Sequence, residues 1–152
     1  MHYIFDTNIL VSYVRDTPLA KHINKAYQPF DARNKAIISV VTLAEIRSLA
    51  MCRGWGAQRM AVLDRLLAQF LWLDIKVERI IDRYVQIDAY SQGKHQKYPV
   101  EFSARNMGKN DLWIAATASV INAKLLTTDK DFDHLSPTWL ELQRFDPKAT
   151  YK

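Results

Sequence analysis

The sequence has 152 residues, of which 49% are hydrophobic and 24% are charged. This length suits one domain with a proper core and is too short for two ordinary domains, so we expect a single domain over residues 1–152. The hydrophobic fraction excludes a disordered chain. The formal net charge of +5 permits an anionic partner without demonstrating one.

The sequence has no features of a membrane or secreted protein. No apolar run is long enough to span a bilayer, and Asp6 interrupts the apolar stretch that a signal peptide would need. The single cysteine, Cys52, cannot form an internal disulfide, which fits a reducing compartment. It falls near the end of a predicted helix, where we expect it to pack. We therefore expect a cytoplasmic protein without membrane association.

Short apolar runs alternate with helical patterns along the chain. Residues 2–6 predict a buried strand, and residues 7–15 predict a helix that begins at the Asp-Thr-Asn group. Thr17-Pro18 is typical of a helix start and predicts a helix over 18–27. The remaining predicted strands are KAIIS (35–39), FLWLD (70–74), KLLTT (124–128) and ELQRF (141–145), and the remaining predicted helices cover 40–54, 56–70, 76–91 and 111–123. The apolar face of the 76–91 helix is expected to comprise Val77, Ile80, Ile81, Tyr84 and Ile87.

Strands that alternate with helices predict an α/β fold. We expect a mainly parallel sheet of four or five strands with helices on both faces, which is a three-layer α/β/α sandwich. In sheets of this kind ligands bind beyond the carboxyl ends of the strands. Polar residues at those ends are therefore the first candidates for a functional site.

Four acidic residues are expected at this edge of the sheet. Asp6 ends the first strand, and Asp129 follows the fourth strand. Glu45 lies in the helix after the second strand, and its side chain leans back toward the helix start. Asp111 lies in the first turn of the helix that leads into the fourth strand, and that helix must begin at the same edge. We therefore expect these acids to converge from four separated segments.

Each acid also has an ordinary structural explanation. Asp6 can cap the helix that follows it, and Asp111 can favour the positive end of a helix dipole. Glu45 can belong to a solvated stripe, and Asp129 can stabilise a turn. Helix caps, however, have no reason to gather at one corner. Four carboxylates placed together repel each other unless a cation neutralises them, and ligands that are all oxygen suit Mg²⁺ or Mn²⁺.

Other site chemistries are not expected. The four histidines show no metal-ligand spacing and the chain has no paired cysteines, so we do not expect a zinc site. The sequence contains no G-x-S-x-G elbow, no Walker loop and no G-x-G-x-x-G fingerprint.

The segments FDTNIL, SVVTLAEI, NDLWIAATA and LLTTDKDF resemble the PIN-domain ribonucleases in their order and spacing, and the VapC-type toxins of bacterial toxin–antitoxin pairs most of all. The resemblance implies an α/β/α sandwich that gathers acids at one sheet edge, binds Mg²⁺ or Mn²⁺ and cleaves RNA. It also implies a small antitoxin partner and often a homodimer. The implied catalytic residues are Asp6, Glu45, Asp111 and Asp129, the implied metal ligands are Asp6, Asp111 and Asp129, and the implied supporting residues are Thr7, Asn8, Thr127 and Asp131.

One segment departs from the family pattern. SQGKHQKYPVEFSARNMGKN, before Asp111, is longer than the link that is usual in the family. It carries four basic residues against a single acid, and a solvated loop is its ordinary explanation. Because it directly precedes an expected active-site acid, we expect it to contact RNA phosphates. The basic residues are Lys94, Lys97, Arg105 and Lys109.

The leading prediction is a metal-dependent endoribonuclease in which Glu45 orients or deprotonates the attacking water. One alternative is a phosphoryl-accepting, receiver-like signalling domain, which would need an acceptor after the third strand, where Asp74 stands. A second alternative is a catalytically silent RNA-binding module on the same fold. The sequence leaves open whether a nuclease of this kind is a toxin or a housekeeping enzyme.

Overall fold

The strands of the protein form one parallel sheet. In the computed structural model, which describes residues 1–152, the strands are β1 (His2–Phe5), β2 (Lys35–Ser39), β3 (Leu71–Leu73), β4 (Lys124–Thr127) and β5 (Glu141–Arg144). Their order across the sheet is β3-β2-β1-β4-β5, and every neighbouring pair is parallel. The central strand, β1, places Ile4 opposite Ile37 of β2 and Leu125 of β4. The predicted parallel sheet is confirmed, with five strands.

Helices connect the strands. They are α1 (Thr7–Val14), α2 (Pro18–Tyr27), α3 (Val40–Cys52), α4 (Ala57–Leu67), α5 (Glu78–Ser91), α6 (Lys109–Val120) and a 3₁₀ helix (Lys130–Leu135). The bounds agree with the prediction to within a few residues, except that the 3₁₀ helix was not predicted. None of these helices has the length and apolar character needed to cross a bilayer.

Two hydrophobic cores lie on opposite faces of the sheet. Tyr3 and Phe5 of β1 point into the core that α1 to α4 cover, whereas Ile4 points into the core that α5, α6 and the 3₁₀ helix cover. Alternate residues of a strand point to opposite faces, so a strand covered on both sides is apolar throughout. The three-layer α/β/α sandwich is therefore confirmed.

Several residues expected to be buried are exposed. On α5 the buried stripe runs through Ile80, Ile87 and Tyr90, whereas Ile81 is 45% exposed because it lies on the flank of that stripe. Val77 precedes the helix as its N-cap and is also exposed. Cys52 is exposed as well, because α3 buries the face that carries Ile46 and Ala50. The expectations that these three residues pack were wrong.

The carboxyl edge of the sheet gathers the starts of three helices. Asp6 follows β1 and caps α1, and Ser39 ends β2 and caps α3 by accepting a hydrogen bond from Val41 N. Helix α6 runs in the opposite direction to β4, which it precedes, so its first turn also lies at this edge. Side chains from distant parts of the sequence therefore meet there.

Candidate functional site

Asp6 is the most deeply buried acid at this edge, with 5% of its surface exposed. Its Oδ1 accepts a hydrogen bond of 2.8 Å from the backbone N–H of Thr7, so it caps α1 as the ordinary explanation requires. Its Oδ2 accepts a second bond of 2.7 Å from Thr127 Oγ1 on β4. Asp6 therefore both caps α1 and contacts Thr127 at the end of β4.

Thr127 connects Asp6 to Asp129. The Thr127 hydroxyl that donates to Asp6 also accepts a bond of 3.0 Å from the backbone N–H of Asp129. Asp129 in turn caps the 3₁₀ helix, because its Oδ1 accepts a bond of 2.9 Å from Asp131 N. These hydrogen bonds stabilise the turn after β4 and fix the positions of Asp129 and Asp131.

Glu45 reaches the site from α3. Its Oε1 accepts a hydrogen bond of 3.0 Å from Thr7 Oγ1, so the residue next to Asp6 also orients Glu45. Glu45 is half-buried, and Thr42, one turn earlier on the same helix, is fully buried. The alternative of a solvated stripe through Thr42, Ser48 and Cys52 therefore fails at Thr42, whereas Ser48 and Cys52 are exposed as it requires.

Asp111 lies among the other acids at the start of α6, and its pKa is raised. It is half-buried in the first turn of α6, whose N-cap, Gly108, offers no side-chain hydrogen bond. Burial, followed by the negative charges of the other acids at this edge, raises the pKa of Asp111 to about 7. Those other acids are Asp6, Asp129, Glu45 and Asp131. The structure therefore brings together the four acids expected from the sequence and adds Asp131.

The pKa of Asp6 is also raised. Burial is the largest cause, and the charges of Glu45 and Asp129 act in the same direction. The hydrogen bonds from Thr127 and from the Thr7 backbone lower the pKa and so oppose these effects. The two threonines therefore favour the ionised form of the carboxylate, which is the form that binds a cation.

The acids fit a hard divalent ion. Carboxylate oxygens of Asp111, Asp129 and Asp131 lie within 4.8 Å of one another. Hard cations such as Mg²⁺ take oxygen ligands, and a positive ion would relieve the repulsion that raises the Asp111 pKa. Asp131, which the sequence suggested only as a supporting residue, belongs to this group. Direct ligation by Asp6 stays a prediction.

Open space adjoins the acid cluster, and Asn8, an expected supporting residue, lies at one such hollow. Asn8 is exposed and lines a hollow of about 520 Å³ with Thr128, the neighbour of Asp129. A second hollow, of about 680 Å³, lies beside Glu45 and includes Asn110 at the start of α6. The acid cluster is thus flanked by open space on two sides.

The four basic residues of the long segment are all exposed. Arg105 lines a hollow of about 240 Å³ together with Asp131. Lys109 is the first residue of α6, and Lys94 contacts Gln92 Oε1 at 3.4 Å. Their contact with RNA stays a prediction.

Asp74 does not belong to the site. It follows β3 at the edge of the sheet, is exposed, and accepts a hydrogen bond of 3.0 Å from Lys76 N. It is therefore a turn residue, and this placement removes the acceptor that a receiver-like domain requires.

Some contributors could not be found from the sequence. Ser91, at the end of α5, bonds through Oγ to His134 Nε2 at 2.8 Å and ties the long segment to the 3₁₀ helix. No spacing or motif links these residues, which are 43 positions apart. Asp131, by contrast, was named from the sequence as a supporting residue, and the Asp-Lys-Asp spacing after a strand is typical of a capped turn.

Comparison with known proteins gives a consistent result. The family model of the PIN domain matches residues 3–136. Comparison with curated protein sequences finds no match. The solved structure of VapBC2 from Rickettsia felis, bound to a DNA fragment from its promoter, is similar at 25% identity and a TM-score of 0.76, over 96% of this chain and 100% of that one. VapBC-1 from nontypeable Haemophilus influenzae is similar at 27% identity and a TM-score of 0.70, over 95% and 98%. A toxin–antitoxin complex from Klebsiella pneumoniae, at 23% identity and a TM-score of 0.65, over 88% and 92%, shows the same fold.

These matches confirm the resemblance predicted from the four sequence segments. The residues covered by the family model include all of the acids that meet at the carboxyl edge. The match spans most of the chain, from the first strand to the end of the 3₁₀ helix. The chain belongs to the PIN domain family.

Proposed function

We propose that this protein is a metal-dependent endoribonuclease that hydrolyses RNA phosphodiester bonds, and that it is the toxin of a type II toxin–antitoxin pair. One observation carries the proposal: carboxylate oxygens of Asp111, Asp129 and Asp131 lie within 4.8 Å of one another. The charges of the acids at this edge add to the effect of burial in raising the pKa of Asp111 to about 7. Such a concentration of carboxylates is unfavourable unless a cation binds there. Membership of the PIN domain family supports a nuclease.

Mg²⁺ or Mn²⁺ is the proposed cofactor. Asp111, Asp129 and Asp131 would hold the ion, with Asp6 as a further ligand directly or through water. When bound, a divalent ion supplies an activated water and stabilises negative charge on phosphoryl oxygens.

Glu45 is the proposed general base. Its Oε1 is occupied by the hydrogen bond from Thr7 Oγ1, which leaves Oε2 to accept a proton from the attacking water. A base must be held within hydrogen-bond reach of the proton it removes, and the bond from Thr7 restricts the rotation of this carboxylate. Thr7 is thus a positioning residue.

Thr127 is a second positioning residue, and it holds Asp6 and Asp129. Its single hydroxyl group contacts both Asp6 Oδ2 and the backbone N–H of Asp129. Polar neighbours that fix carboxylate orientation commonly tune a metal site in this way. The bond to Thr127 also lowers the pKa of Asp6, against the effect of burial, and so favours the ionised form that a cation requires.

RNA is the proposed substrate. The net charge of +5 favours a polyanion, and the hollows beside Asn8 and beside Glu45 leave room for a strand to pass the acids on both sides. The exposed basic segment that precedes Asp111 adds positive charge near the same edge. The cytoplasm, which the single cysteine favours, is also where such a substrate is available.

A small antitoxin is the proposed partner, together with a second copy of the chain. VapBC2 and VapBC-1, which are similar to this chain, were solved as VapBC pairs, and VapBC2 was bound to DNA. A partner protein that covers the carboxyl edge would block access to the acids and would control the nuclease.

The nuclease is tested with the purified protein and a fluorescent RNA in the presence of Mn²⁺. Wild type should cut the RNA, and EDTA or the Asp6→Asn substitution should remove most of the cleavage. Asp64→Asn is the matched control, because Asp64 is exposed on α4 and makes no side-chain hydrogen bond. No cleavage by wild type, despite RNA binding, would instead favour the silent RNA-binding module.

The toxin assignment is tested in growing bacteria. Induction of wild type should arrest growth, induction of Asp6→Asn should not, and co-expression of a cognate antitoxin should restore growth. Normal growth of cells that contain active wild-type nuclease would contradict the toxin assignment and would favour a housekeeping enzyme.

A further inference from the structure

Arg105 carries an unpaired positive charge beside the acid cluster. The four ion pairs of the structure involve Lys21, Arg33, Lys124 and Arg144, and none includes Arg105. Its side chain is exposed and lines the hollow of about 240 Å³ that Asp131 also lines, together with Asn106 and Met107. The N–H donors of its guanidinium are therefore free beside the hollow that Asp131 lines.

The backbone of Arg105 is fixed to the element that carries Asp131. Its N–H donates a hydrogen bond of 2.7 Å to the carbonyl oxygen of Ser91 at the end of α5. Ser91 Oγ bonds to His134 Nε2 at 2.8 Å, and His134 lies on the 3₁₀ helix, three positions after Asp131. Arg105 is therefore held at a defined position relative to this acid.

The guanidinium of Arg105 lies over the ring of Phe102. Its central carbon lies 5.9 Å from the ring centre of Phe102. Phe102 packs edge-on against Tyr90 at 5.5 Å and against His134 at 5.2 Å. Contact with a fixed ring limits the rotamers of an arginine without using its N–H donors, so fewer conformations are lost when a ligand binds.

We propose that the hollow formed by Arg105, Asn106, Met107 and Asp131 is a phosphate-binding subsite for the RNA backbone, with the Arg105 guanidinium as its donor. The inference rests on the proposed function. A guanidinium presents a planar fork of donors that matches two phosphate oxygens, and a fixed fork is a better phosphate ligand than a mobile lysine. Because Asp131 lies at the hollow, the bound phosphate is one adjacent to the bond that is cut.

The subsite distinguishes Arg105 from the lysines of the same segment. Lys97 lies between His95 and Tyr98, which pack against Trp139 at 5.7 and 5.1 Å. This part of the segment is attached to the chain before β5 and not to the hollow that Asp131 lines. Lys97 therefore serves as a comparison of equal charge in the same loop, outside this hollow.

The test compares Arg105→Gln, Arg105→Lys and Lys97→Gln with wild type. Binding of a short fluorescein-labelled single-stranded RNA is followed by anisotropy, with Ca²⁺ in place of Mn²⁺ and at several salt concentrations. Arg105→Gln should weaken binding by about 10- to 100-fold, as expected for loss of a hydrogen-bonded charge. The salt dependence should fall by the equivalent of one phosphate contact, about 0.7 in the logarithmic slope for a single strand. Arg105→Lys should recover the slope and only part of the affinity. Lys97→Gln should weaken binding less than Arg105→Gln, because a mobile lysine is a weaker phosphate ligand than a guanidinium that lies over the Phe102 ring.

Two results would overturn the subsite: normal affinity and slope for Arg105→Gln, or equal weakening by Lys97→Gln, which would indicate a general attraction. Equal melting temperatures for the variants exclude unfolding as the cause, since the Arg105 side chain is exposed and makes no hydrogen bond. RNA binding by wild type without any cleavage would contradict the proposed nuclease and leave this test valid. Cleavage by wild type together with normal binding by Arg105→Gln would contradict the subsite alone.

Discussion

Thr127 Oγ1 donates a hydrogen bond of 2.7 Å to Asp6 Oδ2, across 121 positions of sequence and between two neighbouring strands. Both residues are buried, and the same hydroxyl group also accepts a hydrogen bond from the backbone N–H of Asp129. This contact therefore joins the two strand ends from which the acid cluster is built.

Replacement of Thr127 by valine should destabilise the protein. The substitution keeps the shape of the side chain but leaves a buried carboxylate and a backbone N–H without their partner, which costs about 1–3 kcal/mol in the free energy of unfolding. It also removes an interaction that lowers the pKa of Asp6, so the folded-state pKa rises further above that of the unfolded chain. A carboxyl whose folded-state pKa is raised contributes less stability as pH rises. The difference in the free energy of unfolding between wild type and Thr127→Val should therefore be larger at pH 8 than at pH 5.

Urea unfolding at the two pH values measures this effect. Thr128→Val is the control, because the hydroxyl of Thr128 forms no hydrogen bond within the protein and Thr128 is only half-buried. Equal stability of the two variants would show that the bond between Thr127 and Asp6 is not important for the fold.

Replacement of Asp111 by asparagine should stabilise the metal-free protein at high pH. The carboxyl has a pKa of about 7 in the folded protein, well above its ordinary value, so the folded chain keeps a proton that the unfolded chain loses. The contribution to stability is complete below pH 4 and is lost as pH rises through 7. After allowance for solvent screening of a half-buried group, the gain in Asp111→Asn at pH 8 is about 1 kcal/mol, or a melting temperature about 2–4 °C higher.

Thermal unfolding in EDTA at pH 5 and pH 8 tests this prediction. At pH 8 the melting temperature of wild type should be lower than that of Asp111→Asn. At pH 5 the difference between the two melting temperatures should be smaller. The exposed Asp64→Asn should follow wild type at both values. A lower melting temperature for Asp111→Asn at pH 8 would contradict the repulsion on which the metal site is inferred.

The sheet-edge acids could be predicted because backbone periodicity determines where they lie. A parallel strand that ends at Phe5 must put Asp6 at the carboxyl edge, and the same reasoning holds for Asp129 after β4. Helix α6 had to start at that edge in order to return to β4, which placed Asp111. These inferences need only chain direction and element order, and both can be read from a sequence.

The contacts around these acids could not be predicted, because they depend on tertiary positions and side-chain rotamers. Nothing local indicates that the Thr7 hydroxyl group points to Glu45, or that Thr127 bridges two aspartates. The 3₁₀ helix was missed because six residues are too few to show a period. Leu71 and Ile81 are apolar but exposed, since an edge strand and a helix flank tolerate apolar residues that a core does not require.

Mn²⁺ binding should depend on pH and on Asp131. Metal ligands must be deprotonated, so the apparent affinity should fall as pH drops below 7, where Asp111 gains a proton. Asp131→Asn should weaken binding, because its carboxylate belongs to the group of oxygens that lie within 4.8 Å of one another. Isothermal titration with Mn²⁺ at pH 6, 7 and 8 measures both effects.

Asp133→Asn is the matched control for this titration. Asp133 lies on the same 3₁₀ helix, but its carboxylate pairs with Arg144 at 2.9 Å. Its loss should leave Mn²⁺ affinity close to that of wild type, apart from a small effect of net charge. Equal losses in Asp131→Asn and Asp133→Asn would indicate that the ion is attracted by the general field and is not held by specific ligands.

Replacement of Glu45 by glutamine should separate chemistry from metal binding. The amide oxygen can still accept the hydrogen bond from Thr7 Oγ1, so the fold and the geometry are kept while the basic group is removed. Loss of a general base lowers the rate by about 10²- to 10⁴-fold, and this loss should fall on kcat more than on KM. Mn²⁺ affinity should change little, because the oxygens grouped for an ion belong to Asp111, Asp129 and Asp131. Single-turnover cleavage and Mn²⁺ titration of the same preparation test the two parts. A full loss of Mn²⁺ binding in Glu45→Gln would assign Glu45 to the metal ligands and remove it as the base.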